Sequence, residues 1–83
     1  MKQVSIIGVG LIGGSFALDL LQHISGVSIT GIDQNETHLN EALELGIIHQ
    51  IADVESVRSA DLVVLALPVN AAINVLTEVL ELI

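Results

Sequence analysis

Three glycines near the start of the chain have the spacing of a phosphate-binding loop. Gly8, Gly10 and Gly13 form the pattern G-x-G-x-x-G, directly after an apolar run and shortly before the apolar stretch FALDLL. In such a loop the first glycine permits a tight turn, the second lets the backbone approach a pyrophosphate, and the third allows close helix–strand packing. The free N–H groups at the start of the following helix would then face the phosphates. No lysine follows, so the pattern is not that of an ATP or GTP loop.

A carboxylate lies where a dinucleotide site needs one. Asp33 comes 20 residues after Gly13, at the end of the next apolar run. There it can accept hydrogen bonds from both hydroxyls of an adenosine ribose and repel a 2′-phosphate. Gln34 and Asn35 follow it and the net charge is −8, so the sequence favours NAD over NADP. The alternative is that the glycines only permit close packing and that Asp33 caps a turn.

A third segment is predicted to lie beside the same ligand. Ala66, Leu67 and Pro68 close the apolar run that begins at Asp61. In an open parallel sheet, ligands bind outside the carboxyl ends of the strands. Pro68 would end the strand and preset the turn. The alternative is an ordinary strand–helix junction, because any such junction would have a similar sequence.

The hydrophobic pattern supplies the strands and helices that would hold these residues. Apolar β-branched runs predict buried strands, and polar stripes at helical spacing predict amphipathic helices. Asn35 is a good N-cap, and Gly46 is a plausible residue to end the helix that Asn35 begins. In chain order we predict a strand over Val4–Ile7, a helix from Leu11 that Ser25 and Gly26 end, a strand over Val27–Ile32, a helix over Glu36–Leu45, a short strand over Ile47–Ile51, a short connector or helical turn over Val54–Ser59, a strand over Asp61–Leu67, and a helix from Pro68 onward.

This alternation of strands and helices predicts an α/β fold with a parallel sheet. Right-handed crossovers place helices on both faces, so we expect a Rossmann-type, doubly wound sheet. Hydrophobic residues make up 52% of the chain and Phe16 is its one aromatic residue, which suits an aliphatic core covered on both sides. The strands are too few for a complete dinucleotide domain, and part of the wide apolar arc of the last helix has nothing obvious to cover it. We therefore expect residues 1–83 to be the N-terminal part of such a domain in a longer protein.

Composition and charge argue against several other classes of function. Ten acidic residues outnumber two basic ones, Lys2 and Arg58, so nucleic acid and anionic membranes are unfavourable partners. The chain has no cysteine and no cluster with metal-ligand spacing, and its glycine-broken start does not fit a signal peptide. None of the three histidines is predicted at the carboxyl end of a strong strand, so we predict no catalytic residue and no metal site here. We expect a cytoplasmic protein.

Longer stretches of the sequence resemble one enzyme family. GVGLIGGSFALDL, GIDQNETHLNEALELGII and ADLVVLALPV together are similar to the start of the prephenate/arogenate dehydrogenase family of tyrosine biosynthesis. The similarity covers essentially the whole chain, and GLIGGS is its more specific part. It implies a cofactor site in which the pyrophosphate lies on Gly8, Gly10, Leu11, Ile12 and Gly13, the ribose on Asp33, and the adenosine or nicotinamide side on Ala66, Leu67 and Pro68.

The resemblance also implies an NAD-dependent oxidative decarboxylation in the full-length protein. Hydride would leave the ring carbon that bears the hydroxyl of prephenate, carbon dioxide would be lost, and the product would be 4-hydroxyphenylpyruvate. With arogenate the product would be tyrosine. In the family, a histidine and arginines bind the substrate, and they come after this stretch. The helical dimerisation domain also follows it. The resemblance therefore implies a homodimer and a fragment that is inactive alone.

Two other functions remain open from the sequence. One is another NAD(P)-dependent dehydrogenase of the β-hydroxyacid type, which shares the glycine pattern. The other is a non-catalytic NAD-sensing regulatory domain, which also uses a glycine loop and an acidic residue at a strand end.

Overall fold

A four-stranded parallel sheet organises the chain. The computed structural model describes residues 2–83, with the backbone alone at residues 11 and 12. The strands lie in the order β3-β2-β1-β4, and every pairing between them is parallel. The predicted α/β class and parallel sheet are confirmed. In chain order the elements are β1 (Lys2–Ile7), α1 (Leu11–His23), β2 (Val27–Ile32), α2 (Glu36–Glu44), β3 (Gln50–Ile51), a 3-10 helix (Val54–Ser59), β4 (Leu62–Leu65) and α3 (Val69–Leu82).

Alternate side chains of the strands supply two cores on opposite faces of the sheet. Ile6 of β1 is fully buried on one face, together with Ala17 of α1 and Leu39 of α2. Ile7, the next residue of β1, is buried on the other face with Val79 of α3. Successive side chains of a strand point to opposite faces, so β1 contributes to both cores. The helices therefore cover both faces, as predicted for a doubly wound sheet.

The predicted elements are all present, and some of their ends differ from the predictions. The third strand covers Gln50–Ile51 and not Ile47–Ile51, because the N–H of Ile47 donates to the carbonyl oxygen of Ala42 and completes the end of α2. The fourth strand is assigned over Leu62–Leu65, although the N–H of Ala66 still donates to Ile7 in the neighbouring strand.

The surface of α3 is largely apolar. Only Val79 of this helix is fully buried among its described residues. Large apolar side chains recur at about every helical turn along its exposed side and form what we call the α3 stripe: Val69, Ile73, Leu76, Leu80 and Ile83. The sequence predicts that part of the apolar arc of this helix is uncovered, and the stripe contains that part. The rest of the arc, Val75, Val79 and Leu82, packs in the core. Within residues 2–83 we find no helix that is both long and apolar enough to span a bilayer.

Candidate functional site

Hydrogen bonds join the chain at the carboxyl ends of three neighbouring strands, β2, β1 and β4. The N–H of Gly8 donates to the carbonyl oxygen of Ile32 at 2.7 Å, and the N–H of Ala66 donates to that of Ile7 at 2.8 Å. The strand order reverses between β1 and β4, since the chain passes from β3 at one edge to β4 at the other. Ligands of doubly wound sheets bind in the crevice at such a reversal. The glycine loop and the segment after β4 therefore meet where a ligand is expected.

Gly8 and Gly13 shape the loop because they lack side chains. Gly8 has a φ of +92°, and a Cβ on it would lie 2.5 Å from the carbonyl oxygen of Ala66 and 2.8 Å from Cδ2 of Leu67. A Cβ on Gly13 would collide with the carbonyl oxygen of Gly8. The turn thus requires the first glycine, and close packing of α1 against the end of β1 requires the other.

Gly10 differs from these two because the space beside it is open. Among the described atoms, the nearest to a Cβ on Gly10 would be Cε1 and Nδ1 of His38, both 3.9 Å away. Gly10 is the N-cap of α1 and provides no side-chain hydrogen bond, and its carbonyl oxygen accepts from the N–H of Gly14. The first N–H groups of a helix have no partner within it. The start of α1 therefore offers N–H donors to an anion beside a gap that a side chain would otherwise fill.

Leu11 and Ile12, which are predicted to contact the pyrophosphate, lie at this helix start. Their backbone forms the first turn of α1. Contacts of their side chains lie outside the described residues.

Asp33 follows β2 and faces the glycine loop. Its Oδ2 accepts a hydrogen bond from the N–H of Val9 at 2.8 Å, and its Oδ1 accepts one from the N–H of Asn35 at 2.9 Å. The second bond holds the turn before α2, so the turn-capping alternative describes part of what Asp33 does. Each carboxylate oxygen can accept more than one hydrogen bond. Both oxygens therefore keep acceptor capacity for a ligand while the two amides fix their orientation.

A groove of about 760 Å³ opens at the carboxyl ends of the strands, and Gly8, Asp33 and Leu67 are among its lining residues. Its volume lies within the range of small-molecule sites. Apolar side chains share the lining with four carboxylates, and the described lining holds no lysine or arginine. This acidic wall disfavours an additional phosphate there. The four carboxylates belong to Asp33, Glu36, Asp53 and Glu78.

The segment after β4 contributes to the site unequally. Leu67 lines the groove, and the carbonyl oxygen of Ala66 packs against Gly8. Pro68 is exposed and occupies the N-cap position of α3. Pro68 therefore sets the start of the helix and is not among the residues lining the groove.

The structure brings two further residues into this region. A Cβ on Gly31 of β2 would lie 2.6 Å from Cδ1 of Ile48 and 3.1 Å from Cγ2 of Val9, so this glycine makes room for the loop. A glycine inside a strand is a known signal of such close approach. Nδ1 of His38 lies 3.7 Å from Oδ2 of Asp33. The sequence placed His38 early in a capped helix and gave no reason to bring it to Asp33.

Comparison with known proteins yields one family. The model of the family "Prephenate dehydrogenase, nucleotide-binding domain" matches residues 16–83. Prephenate dehydrogenase of Bacillus subtilis (strain 168) is 38% identical over 77 residues, which cover 90% of this chain and 21% of that protein. The chain therefore spans about a fifth of the length of this relative.

Two solved structures resemble the fold. The crystal structure of prephenate dehydrogenase from A. aeolicus in complex with hydroxyphenyl propionate and NAD+ is 36% identical, with a TM-score of 0.82 over 90% of this chain and 27% of that one. Arogenate dehydrogenase of Synechocystis superposes with a TM-score of 0.86 at 22% identity, over 98% of this chain and 29% of that one. The second similarity concerns the fold alone.

Proposed function

Because the chain belongs to the family of prephenate dehydrogenase nucleotide-binding domains, we propose that it is the NAD-binding part of a prephenate dehydrogenase. The observation that carries the proposal is the meeting of Asp33 and the glycine loop in one groove. The N–H of Val9 in the loop donates directly to Oδ2 of Asp33, so the ribose acceptor and the phosphate donors are held in one fixed arrangement. A dinucleotide needs both groups at the separation of its ribose and pyrophosphate.

The proposed binding mode assigns each part of NAD to the groove or to the adjoining start of α1, where Gly10 is the N-cap and is not itself a groove-lining residue. The pyrophosphate binds at the start of α1 over Gly10. The choice of NAD as the ligand is supported by the relative whose structure contains NAD+. The adenosine ribose donates its hydroxyls to Asp33. The adenosine lies against Leu67 and the apolar groove wall. The four carboxylates of the lining favour NAD over NADP, because a 2′-phosphate would add negative charge beside them.

The proposed reaction of the full-length protein is the oxidative decarboxylation of prephenate to 4-hydroxyphenylpyruvate in tyrosine biosynthesis. Hydride passes from the hydroxyl-bearing ring carbon to the bound NAD, and the ring carboxyl leaves as carbon dioxide. The residues of this chain bind and orient the cofactor. The remainder of the nucleotide domain and a helical domain bind the substrate in this proposal. The helical domain also forms the homodimer, and the protein acts in the cytoplasm. The short share of the relatives' length supports this division.

The test compares two aspartates that make the same kind of hydrogen bond at opposite ends of the strands. Asp33 accepts from the N–H of Val9, and Asp61, at the amino end of β4, accepts from the N–H of Gln3, both at 2.8 Å. We expect Asp33→Asn in the full-length protein to weaken NAD binding about tenfold or more, because charge-assisted hydrogen bonds to the ribose are lost. The preference over NADP should also fall. Asp61→Asn should leave both affinities unchanged.

Isothermal titration calorimetry with NAD and NADP measures these affinities. Equal effects of the two substitutions would contradict the ribose-binding role of Asp33. Equal or tighter binding of NADP to the unaltered protein would contradict the assignment of NAD.

A further inference from the structure

The imidazole of His38 borders two parts of the proposed cofactor site. Its Nδ1 lies 3.7 Å from Oδ2 of Asp33. The same nitrogen and the neighbouring Cε1 are the nearest described atoms to a Cβ placed on Gly10, at 3.9 Å. Asp33 is the proposed ribose acceptor, and Gly10 is the place where the pyrophosphate approaches. One side chain of α2 is therefore adjacent to both.

The first turn of α2 fixes this position. Oδ1 of Asn35 caps the helix by accepting from the N–H of His38 at 3.1 Å, and the N–H of Asn35 donates to Asp33. Both bonds join a backbone N–H to a side-chain oxygen of Asn35 or Asp33, so neither uses the imidazole or depends on its charge. The side chain of His38 is 47% exposed and that of Asp33 is 13% exposed. A ligand can therefore reach the imidazole, and it can reach the small part of the carboxylate that is exposed.

Among the described residues next to Asp33 and Gly10, His38 has a side chain that can gain a positive charge. The β1–α1 loop approaches it at Gly10, and the N–H of Val9 donates to Asp33 beside it. Neither Lys2 nor Arg58 is among the described residues that line the groove. The acidic groups near His38 are Asp33 from the end of β2 and, within one turn on α2 itself, Glu36 and Glu41. Asp53 and Glu78 line the neighbouring groove, of which His38 is not a lining residue.

The charge of a histidine changes between about pH 5 and pH 8. While the imidazole is neutral, the Asp33 carboxylate acts alone and repels a 2′-phosphate. Once protonated, the imidazolium offsets the charge of Asp33 and offers an N–H donor to a phosphate oxygen. We propose that His38 is a specificity-determining residue whose protonation lowers the preference of this site for NAD over NADP. This proposal rests on the NAD-binding function proposed above.

The experiment measures the ratio of the NADP and NAD dissociation constants for the full-length protein at about pH 6 and about pH 8, where histidine is mostly charged and mostly neutral. Three forms are compared, carrying His38, His38→Gln and His38→Arg. Glutamine suits the third position of a capped helix, so the first variant keeps the start of α2 intact. His23→Gln is the matched control, because His23 lies in the last turn of α1, about 18 Å along the helix from the loop.

The expected pattern differs for each form. With His38, the ratio falls on acidification by roughly tenfold more than in His38→Gln. With His38→Arg, the ratio stays low at both pH values, because the positive charge is permanent. The 2′-phosphate itself takes up a proton near pH 6, so the ratio can change with pH in every form. The effect of His38 is therefore the difference in this pH dependence between the forms. His23→Gln should behave as the unaltered protein does.

Identical pH dependence in the His38 and His38→Gln forms would overturn the role of His38, provided that NAD binds. Failure of NAD to bind any form at about pH 8 would contradict the proposed function itself, and the role of His38 with it. A high ratio in His38→Arg at both pH values would also overturn the proposal, because a fixed charge would then have no effect on the 2′-phosphate.

Discussion

The loop region, made of β1, α1, β2 and α2, holds most of the buried apolar side chains, whereas the α3 region, made of β4 and α3, leaves much of its apolar surface exposed. Ile29 in β2 has no exposed surface, and Ile73 in α3 is 61% exposed. The difference follows from position in the sheet. β1 and β2 each have a strand on both sides, and β4 lies at an edge.

The comparison shows which part of the cofactor site is rigid without help from other parts of the protein. A binding site needs support that holds its groups within a fraction of an ångström. The glycine loop and Asp33 have that support, because the loop is wedged between β1, β2 and the carbonyl oxygen of Ala66. Exposed apolar surfaces as continuous as the α3 stripe mark contact surfaces in other proteins. The stripe is thus a candidate contact surface, and the glycine loop is not.

The largest effect that would sharpen this comparison comes from two adjacent glycines in the loop region. Gly13→Ala should lower the free energy of unfolding by about 4 kcal/mol or more, because the new methyl group collides with the carbonyl oxygen of Gly8. Gly14→Ala meets no described atom within 4 Å and should be neutral or stabilising by up to about 1 kcal/mol. Calorimetric unfolding of the full-length protein measures both. Similar costs for the two alanines would show that the loop is not tightly packed.

Truncating one isoleucine in each region tests the contrast in packing directly. Ile29→Ala should cost about 2–5 kcal/mol, because it empties a fully buried site. Ile73→Ala in the 83-residue chain should change stability by less than about 0.5 kcal/mol, because most of that side chain is in solvent. Chemical unfolding followed by circular dichroism measures both changes. A larger cost of Ile73→Ala in the full-length protein would assign the α3 stripe to an interior surface, and an equal cost there would leave it at the surface.

The smallest effect concerns the two asparagines that lie at the starts of helices. Asn35→Ala should cost about 1 kcal/mol, because α2 loses the side-chain cap on the N–H of His38. Asn70 lies in the first turn of α3, where Pro68 is the N-cap and no side-chain cap bond is made. Asn70→Ala should therefore be neutral or slightly stabilising. Thermal unfolding measured by circular dichroism compares them, and a cost of Asn70→Ala that matches Asn35→Ala would contradict the difference between the helix starts.

Much of the fold could be predicted because its signals are local. The β-branched runs gave the strands, and Asn35 and Gly46 correctly marked the ends of α2. Element ends were less predictable, as in β3, where the N–H of Ile47 bonds back to α2 and not to the sheet. Competition between a helix end and a strand start for the same amide depends on geometry that neither segment encodes alone.

The candidate site divides in the same way. The sequence alone was sufficient to predict that the glycine loop and Asp33 lie close together. Both follow strands of one strand–helix–strand unit, and the carboxyl ends of its parallel strands are neighbours. The proximity of His38 to Asp33, the close fit of Gly31 under Val9 and the division of the apolar residues of α3 between the core and the exposed stripe were decided by the tertiary structure. These depend on the angle and depth at which separate elements pack, and local periodicity carries no record of either.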